Sequence, residues 1–189
     1  MAVDAYIYFE VPDGIPKPKG ESMDKYFKTK DAFEIKEFSF DVENAHSVGS
    51  ATGGAAVGKV KFNEFTIKKT TDYASPIFFK NCVGGAHYSN VVVSIRKAGQ
   101  TAAAQGGSLL RAGQSFLEYA FKTVYTTKIE WSGPSDEGPE ESITFVFGSL
   151  SIRYRKQLAD GSLDTAKRMG WSVVTNKSLT VADTDFSGG

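Results

Sequence analysis

Residues 75–85 read SPIFFKNCVGG, a segment punctuated as a helix at both ends within a chain whose other apolar residues mostly alternate. Ser75 is placed to cap the free amides of a first turn. Pro76 suits the first helical position because it has no N–H to lose, and Gly84 or Gly85 can take the left-handed conformation that stops a helix. Between them Phe78 and Cys82, with Phe79 and Val83, fall four residues apart and predict a helix over 75–83 with one buried apolar face. A Gly-rich loop from Gly53 leads into the strand before this helix, and the strand after it ends at Ile95, Arg96, Lys97, Ala98 and Gly99. A lone helix in a strand-rich chain has to cover something the sheets leave open.

The remaining apolar residues recur with period two. Tyr6, Tyr8 and Phe9 open a first strand, and a Pro-, Gly- and Lys-rich connection runs from Asp13 to Lys30. Phe33 and Ile35 then sit on odd positions and Phe38, Phe40 and Val42 on even ones. The same phase slip separates Val60 and Phe62 from Phe65 and Ile67, and Phe145 and Phe147 from Leu150, Ile152 and Tyr154, the last across Gly148. A slip of one residue moves an apolar set to the other face unless a bulge or bend re-aims it, so three slips predict strongly curved sheets. The longest alternation, Leu117, Tyr119, Phe121, Thr123, Tyr125, Thr127, Ile129 and Trp131, predicts one face of a strand from Ser115 to Trp131. Fully straight it would span roughly 55 Å, against a diameter near 40 Å for a globule of this size, so it must coil through two sheets or project. The expected fold is mainly β: a curved antiparallel β-barrel of two sheets with one short α-helix, in one domain over 1–189. To it belong a Gly-rich arm about 45–58 and a C-terminal tail about 178–189 that is free to flex.

Composition narrows the function. The 189 residues suffice for a core without staples, and the one cysteine, Cys82, excludes an intrachain disulfide. Lys plus Arg and Asp plus Glu both count 22, so the basic excess of a nucleic-acid binder and the basic face of a membrane-surface protein are both missing. Asp4 and Glu10 stand where a signal peptide needs a basic start and an apolar core, and no apolar run reaches membrane-spanning length. The expectation is a chain made and folded in the cytoplasm.

Candidate chemistry is sparse. Gly53, Gly58 and Lys59 have the spacing of a phosphate loop, but Val60 replaces the magnesium-holding hydroxyl and a strand follows where a helix is needed. Cys82 and His87 have no third group to orient them as a nucleophile and base, and Cys82 reads better as a small buried hydrophobe. A zinc site would rest on His46, His87 and carboxylates without a recognisable spacing. Asp136, Glu137, Glu140 and Glu141 read as a solvated turn, and Asp183 and Asp185 as a frayed tail before a weak calcium site. The expectation is no catalytic residue, cofactor or metal. Two non-enzymatic alternatives stand beside the main reading: a monomeric barrel holding a small apolar ligand between Phe38, Phe40, Tyr119 and Phe121, and a phage-type tail-tube subunit.

Several segments together carry a resemblance. Met1 to Asp4, the triplet Phe38, Ser39, Phe40, and the Gly-rich loop into Gly58, Lys59 and Val60 resemble the Hcp family, the tube protein of the type VI secretion system. Thr70, Thr71, Asp72, Ser75 and Pro76 with the helix, then Gly85, His87 and Tyr88 leading to Gly99, are similar to that family's central motif. Tyr154, Gln157, Asp160, Gly161 and Ser162, then Gly170, Trp171, Asn176 and Lys177, resemble its closing signature. The longer 11–30 and 100–113 segments and the extended tail depart from it.

The resemblance implies a β-barrel with one helix that forms hexameric rings. The rings stack into a tube inside a contractile sheath, and contraction drives tube and spike protein out with effectors in the lumen. It implies secretion without a cleaved signal peptide, self-association as the main partnership, and no nucleic acid or membrane insertion. Phe38 and Phe40 should face the core, so Ser39 points the other way, and the family likeness makes that the luminal, effector-contacting face. The polar arm, with Gly49, Ser50, Gly53, Gly54 and Gly58, has little apolar surface to bury at home and is expected to dock on a neighbouring subunit or ring. Ser75, Pro76, Phe78 and Cys82 are expected to form the structural helix.

Overall fold

The computed structural model describes residues 3–47, 56–97, 115–133, 138–158 and 162–186. In chain order its elements are β1 (Val3–Glu10), β2 (Phe33–Glu34), β3 (Glu37–Ser39), β4 (Val42–Ser47), β5 (Ala56–Phe62), β6 (Phe65–Thr70), α1 (Ser75–Gly84), β7 (His87–Lys97), β8 (Leu117–Ser132), β9 (Glu140–Tyr154), β10 (Lys167–Ser172) and β11 (Lys177–Leu179). A nine-stranded antiparallel sheet runs β11-β10-β9-β8-β7-β1-β2, with β6 also on β9 and β3 on β6, while β4 and β5 form a separate hairpin. The predicted fold class holds, with one correction: the sheet curves around its core without closing into a barrel. The β2 ladder on β1 stops at Glu34 and the β3 ladder on β6 begins at Glu37. Among the described residues two single bonds, Ile35 N–H to the Ala5 carbonyl at 3.0 Å and Lys36 N–H to the Lys68 carbonyl at 2.9 Å, span the change of partner. The first phase slip in the sequence is this change.

The other slips have different causes. Between Phe62 and Phe65 the chain turns at Asn63, whose amide donates to the Asp41 carbonyl at 3.1 Å, so the two phases belong to separate strands. At Gly148 the alternation flips in both strands of the long hairpin. Thr123 adopts a φ of 53° and, with Gly148, drops out of the ladder between the pairs Lys122–Ser149 and Val124–Phe147. A Cβ on Gly148 would lie 3.2 Å from that of Thr123, so any larger residue would have to push Thr123 aside by a few tenths of an ångström. A one-residue shift between Thr126 and Lys128 then flips β8 back. The residues from Leu117 to Trp131 therefore do not share one face: Phe121, Val124 and Thr126 are buried, while Tyr125 and Trp131 are exposed. These breaks let one hairpin serve both halves of the sheet, with 149–154 of β9 on β10 and 140–145 on β6.

Inside the curve Phe9 meets Phe33, Phe78, Tyr88 and Phe145 with ring centroids 4.9–5.9 Å apart, and Phe65 stacks on Phe121 at 4.5 Å. The helix closes one side of this core, but its predicted face is split. Phe78 is fully buried and Cys82 half-buried, whereas Phe79 and Val83 are exposed and Asn81 takes the inner position. The Asn81 amide donates to the Pro16 carbonyl at 3.0 Å and reaches the buried Tyr88 hydroxyl at 3.4 Å, so the inner stripe is partly polar. Pro76 opens the helix and Gly85 stops it at φ 63°, as expected. Ser75 does not cap it. Ala74 holds the cap position, the Asp72 carboxylate accepts its N–H at 2.9 Å, and the Ser75 hydroxyl donates to Glu141 at 2.8 Å.

Glu141, read as part of a solvated turn, is buried opposite Lys69 across the β6–β9 ladder. The Lys69 ammonium donates to Glu141 at 2.7 Å, to Asp72 at 2.8 Å and to the Thr70 carbonyl at 3.0 Å, which uses its three protons. The second Glu141 oxygen accepts the Trp131 indole N–H at 3.1 Å. Removing one partner of such a pair strands a buried charge, which typically costs about 3–5 kcal/mol, whereas an apolar pair in its place is far milder. Lys69→Met or Glu141→Leu alone should lower the urea midpoint by more than the Lys69→Met, Glu141→Leu double substitution does. Phe78→Ala, which empties an aromatic site in the core, should cost about 3–5 kcal/mol in the same assay.

Candidate functional site

Three surfaces offer function: the polar outer face around Ser39, an uncovered apolar face on β9 and β10, and a groove on the back of the sheet. Ser39 is exposed on β3, opposite Thr66, while Phe38 and Phe40 pack partly buried against the core. Its face carries Glu37 and Lys68, paired at 2.7 Å, and Thr66 bonded to Thr144 at 3.1 Å. Thr127 donates to Glu64 at 3.0 Å nearby. Hydroxyls and charges of both signs cover this face.

The apolar face follows from register. Directly paired residues share a face, so the core pair Phe121–Leu150 is continued by Tyr119–Ile152 and Leu117–Tyr154, and β10 adds Met169 opposite Ile152. Beyond Leu150 the core ends but the apolar phase does not: Ile152 is 37% exposed, Tyr154 47% and Met169 76%. Past β10 lies β11, three exposed residues whose outer edge is unpaired among the described residues.

On the back of the sheet, Tyr6, Tyr8, Phe27, Ala32, Val92, Ala120 and Phe186 form a second buried cluster. Two segments seal it. The 11–30 connection brings Phe27, stacked on Tyr6 at 4.0 Å, and Asp24, which binds the Arg96 guanidinium at 2.5 Å. Residues 181–186, expected to fray, instead lie across the sheet as a strap whose last residue, Phe186, is 1% exposed. The Tyr8 hydroxyl donates to the Phe186 carbonyl at 2.6 Å, and the Arg153 guanidinium lies 4.4 Å from the Phe186 ring. Arg153 also donates to Asp183 at 2.8 Å and to Glu118, its cross-strand partner, at 2.6 Å. Asp183 is shared with Arg168 at 2.6 Å, and Asp185 takes Lys122 at 2.5 Å.

The other sequence candidates resolve as follows. Gly49, Ser50, Gly53 and Gly54 of the arm lie outside the described residues, and Gly58 lies within β5. Lys59 is also inside that strand, where a phosphate loop would need a helix to follow. His87 stacks near Tyr125 at 5.5 Å, and no His, Cys, Asp or Glu cluster suited to a metal occurs among the described residues. Phe38, Phe40, Tyr119 and Phe121 pack on one another at 5.1–5.9 Å, and none lines either of two surface clefts of about 500 and 340 Å³. Sequence reasoning missed the buried pairs Lys69–Glu141 and Arg153–Glu118. The first had a signal in the sequence: Lys69 extends the phase of Phe65 and Ile67, and Glu141 that of Ile143 and Phe145.

Comparison with known proteins gives a consistent result. A family model described as "Type VI secretion system effector, Hcp" matches residues 8–154, more than half of the chain. The protein hcp1 of Pseudomonas aeruginosa is 28% identical over 123 residues, spanning 62% of this chain and 68% of that relative. Among solved structures, one described as a type six secretion system protein aligns with a TM-score of 0.76 at 25% identity over 94% of this chain and 100% of its own. Hcp1 from Salmonella typhimurium aligns with a TM-score of 0.67 at 23% identity over 95% and 100%. The family match stops at Tyr154, before β10, β11 and the strap.

The strap's electrostatics set a pH dependence. Hydrogen bonds from Arg168 and Arg153 hold the Asp183 carboxyl below its ordinary value. Its contribution to stability is therefore complete above the ordinary aspartate value, about 3.9, and is lost as pH falls through the lower folded value. Glu118 has the opposite sign: burial raises it against the pull of Arg153, so its linked stability is present at low pH and lost as pH rises through the folded value. Acidification below about pH 3.9 should therefore remove the exchange protection of the Asp185 and Phe186 amides, which bond to the Ala182 and Asp183 carbonyls at 3.2 and 3.1 Å. Asp183→Asn should show a smaller acid step when exchange is followed by NMR, the remainder coming from Asp185, whose carboxyl, despite a burial that raises it, the Lys122 ammonium also holds below its ordinary value.

Proposed function

The chain belongs to the Hcp family of the type VI secretion system, and from that premise we propose that it is the structural subunit of the secretion tube. In this reading six copies close into a ring, rings stack inside a contractile sheath, and contraction carries tube, spike protein and luminal effectors into a target cell. The observation that carries the reading is the uncovered apolar face of Ile152, Tyr154 and Met169, which continues the core face of the sheet into solvent and ends at the open edge of β11. An apolar sheet face with an unpaired edge is a template for another copy, because backbone pairing supplies affinity and side chains supply register. The balanced charge of 22 basic and 22 acidic residues also favours close self-association.

The remaining roles follow from this placement. Ser39 and its polar neighbours line the lumen, where hydroxyls and alternating charge suit passage of varied cargo. The arm about 45–58, with Gly49, Ser50, Gly53, Gly54 and Gly58, bridges to a neighbouring subunit or ring. The protein works as a scaffold and leaves the cell with the tube. Among the described residues no helix is long and apolar enough to cross a membrane.

Met169→Glu, on an exposed side chain, should leave the melting temperature of the subunit unchanged but convert rings to a 20.5 kDa species in native mass spectrometry. Rings that persist with six-fold symmetry in negative stain would refute this interface. Ser39→Gln should leave rings intact and reduce export of luminal effectors. Normal export of every such effector would remove Ser39 from the lumen.

A further inference from the structure

The smaller of the two surface clefts, about 340 Å³, lies on the back of the sheet, bounded by Asp185 of the strap but not filled by it. Its volume is within the range of about 300–1,000 Å³ typical of small-molecule sites. Register explains its lining. Ser149 of β9 pairs with Lys122 of β8 on one side and with Ser172 of β10 on the other, and Ser151, two residues on, faces the same way. Small hydroxyl side chains on neighbouring strands leave a trough that larger residues would fill. Thr123 and Thr180 also line it, which makes five hydroxyl residues around one space. Two of them are deeply set: Ser151 is 6% and Ser172 8% exposed. The Ser172 hydroxyl accepts the Thr175 N–H at 3.1 Å and keeps its own proton, while that of Ser151 has no hydrogen-bond partner among the described residues. A buried hydroxyl without a partner is costly, and it marks a position that a ligand bearing donors and acceptors would improve.

We propose that this cleft is a binding site for a neutral sugar ring. The charges on its wall cancel: the Lys122 ammonium donates to one Asp185 oxygen at 2.5 Å, and the other accepts the Ala182 N–H at 2.8 Å. An anion would meet that carboxylate and a cation that ammonium, so neither is favoured. Hydroxyls that both give and accept match the donors and acceptors that a sugar carries around its ring. Val174 and Leu179 offer apolar contact to its C–H edges. Each such contact is modest, so affinity is weak, with a Kd of about a millimolar. This assignment stands on the cleft alone and does not depend on the ring interface proposed above.

The probes are D-glucose, D-galactose and N-acetyl-D-glucosamine, each titrated against the full-length protein and followed by saturation-transfer NMR of the sugar protons. At least one should receive saturation from the protein. Ser151→Ala deletes a hydroxyl that has no partner in the subunit, so it should leave the melting temperature unchanged or raised while weakening that sugar about fivefold. Ser149→Leu, which fills the trough, should abolish the signal in a protein that still melts cooperatively. Inorganic phosphate in excess should not displace the sugar. No saturation transfer to any of the three, equal affinity in Ser151→Ala, a signal that survives Ser149→Leu, or displacement by phosphate would each overturn the proposal.

Discussion

The pairing of Lys69 with Glu141 is the constraint on which the arrangement of helix and sheet depends. Both side chains occupy core-facing positions, 1% and 0% exposed, where an unpaired charge could not be tolerated. Neutralising each other is not enough; every remaining proton and lone pair needs a partner as well. Ser75 supplies one from the start of α1, Trp131 another from the far end of β8, and Asp72 a third from the turn between β6 and the helix. Satisfying one ion pair therefore positions the helix, the end of the long hairpin and the connecting turn together. The Lys69 ammonium also lies 5.2 Å from the Phe33 ring and 5.8 Å from that of Phe78, so the polar network and the aromatic core meet with little apolar surface wasted.

The two sides of the sheet are built by different means. The concave side is filled by phenylalanines from β1, β2, β3, β5, β6, β8 and β9 and by Phe78 of the helix. The back is filled by residues distant in sequence, drawn in by ion pairs that lie above an apolar floor: Asp24 to Arg96, Asp183 to Arg153 and Arg168, Asp185 to Lys122. The more exposed of these pairs, Asp183 with Arg168 and Asp185 with Lys122, contribute little energy individually. The value of these ion pairs is positional, since they fix Phe27 and Phe186 over the tyrosines whose burial supplies the energy.

Periodicity made most strands and the helix legible in the sequence, and the order of several short motifs made the family legible. What it concealed was local. Period-two counting cannot see that Thr123 and Gly148 leave the ladder together, because the apolar pattern of β8 continues through Tyr125 on the outer face. The Phe79–Val83 pair has helical spacing, yet Asn81 is buried in its stead because Tyr88 and Pro16 provide partners from elsewhere in the chain. The strap was illegible because its two apolar residues, Val181 and Phe186, stand five apart with small and polar residues between them, a spacing that fits neither period; their fate depends on arginines brought near only by the finished sheet.

The bond from Tyr8 to Phe186 joins residues 178 apart. Contacts of such long span form late, because the loop they close is costly until the structure between them exists. Every one of the eleven strands precedes Phe186, so during synthesis the back of the sheet stays bare until the ribosome has completed all of them. At roughly 5–20 residues per second, Tyr8 waits about ten seconds or more for its cover. The 11–30 connection, which follows at once after β1, is the part of that cover made early: its Phe27 stacks on Tyr6 at 4.0 Å, whereas the Tyr8 hydroxyl must wait for the Phe186 carbonyl.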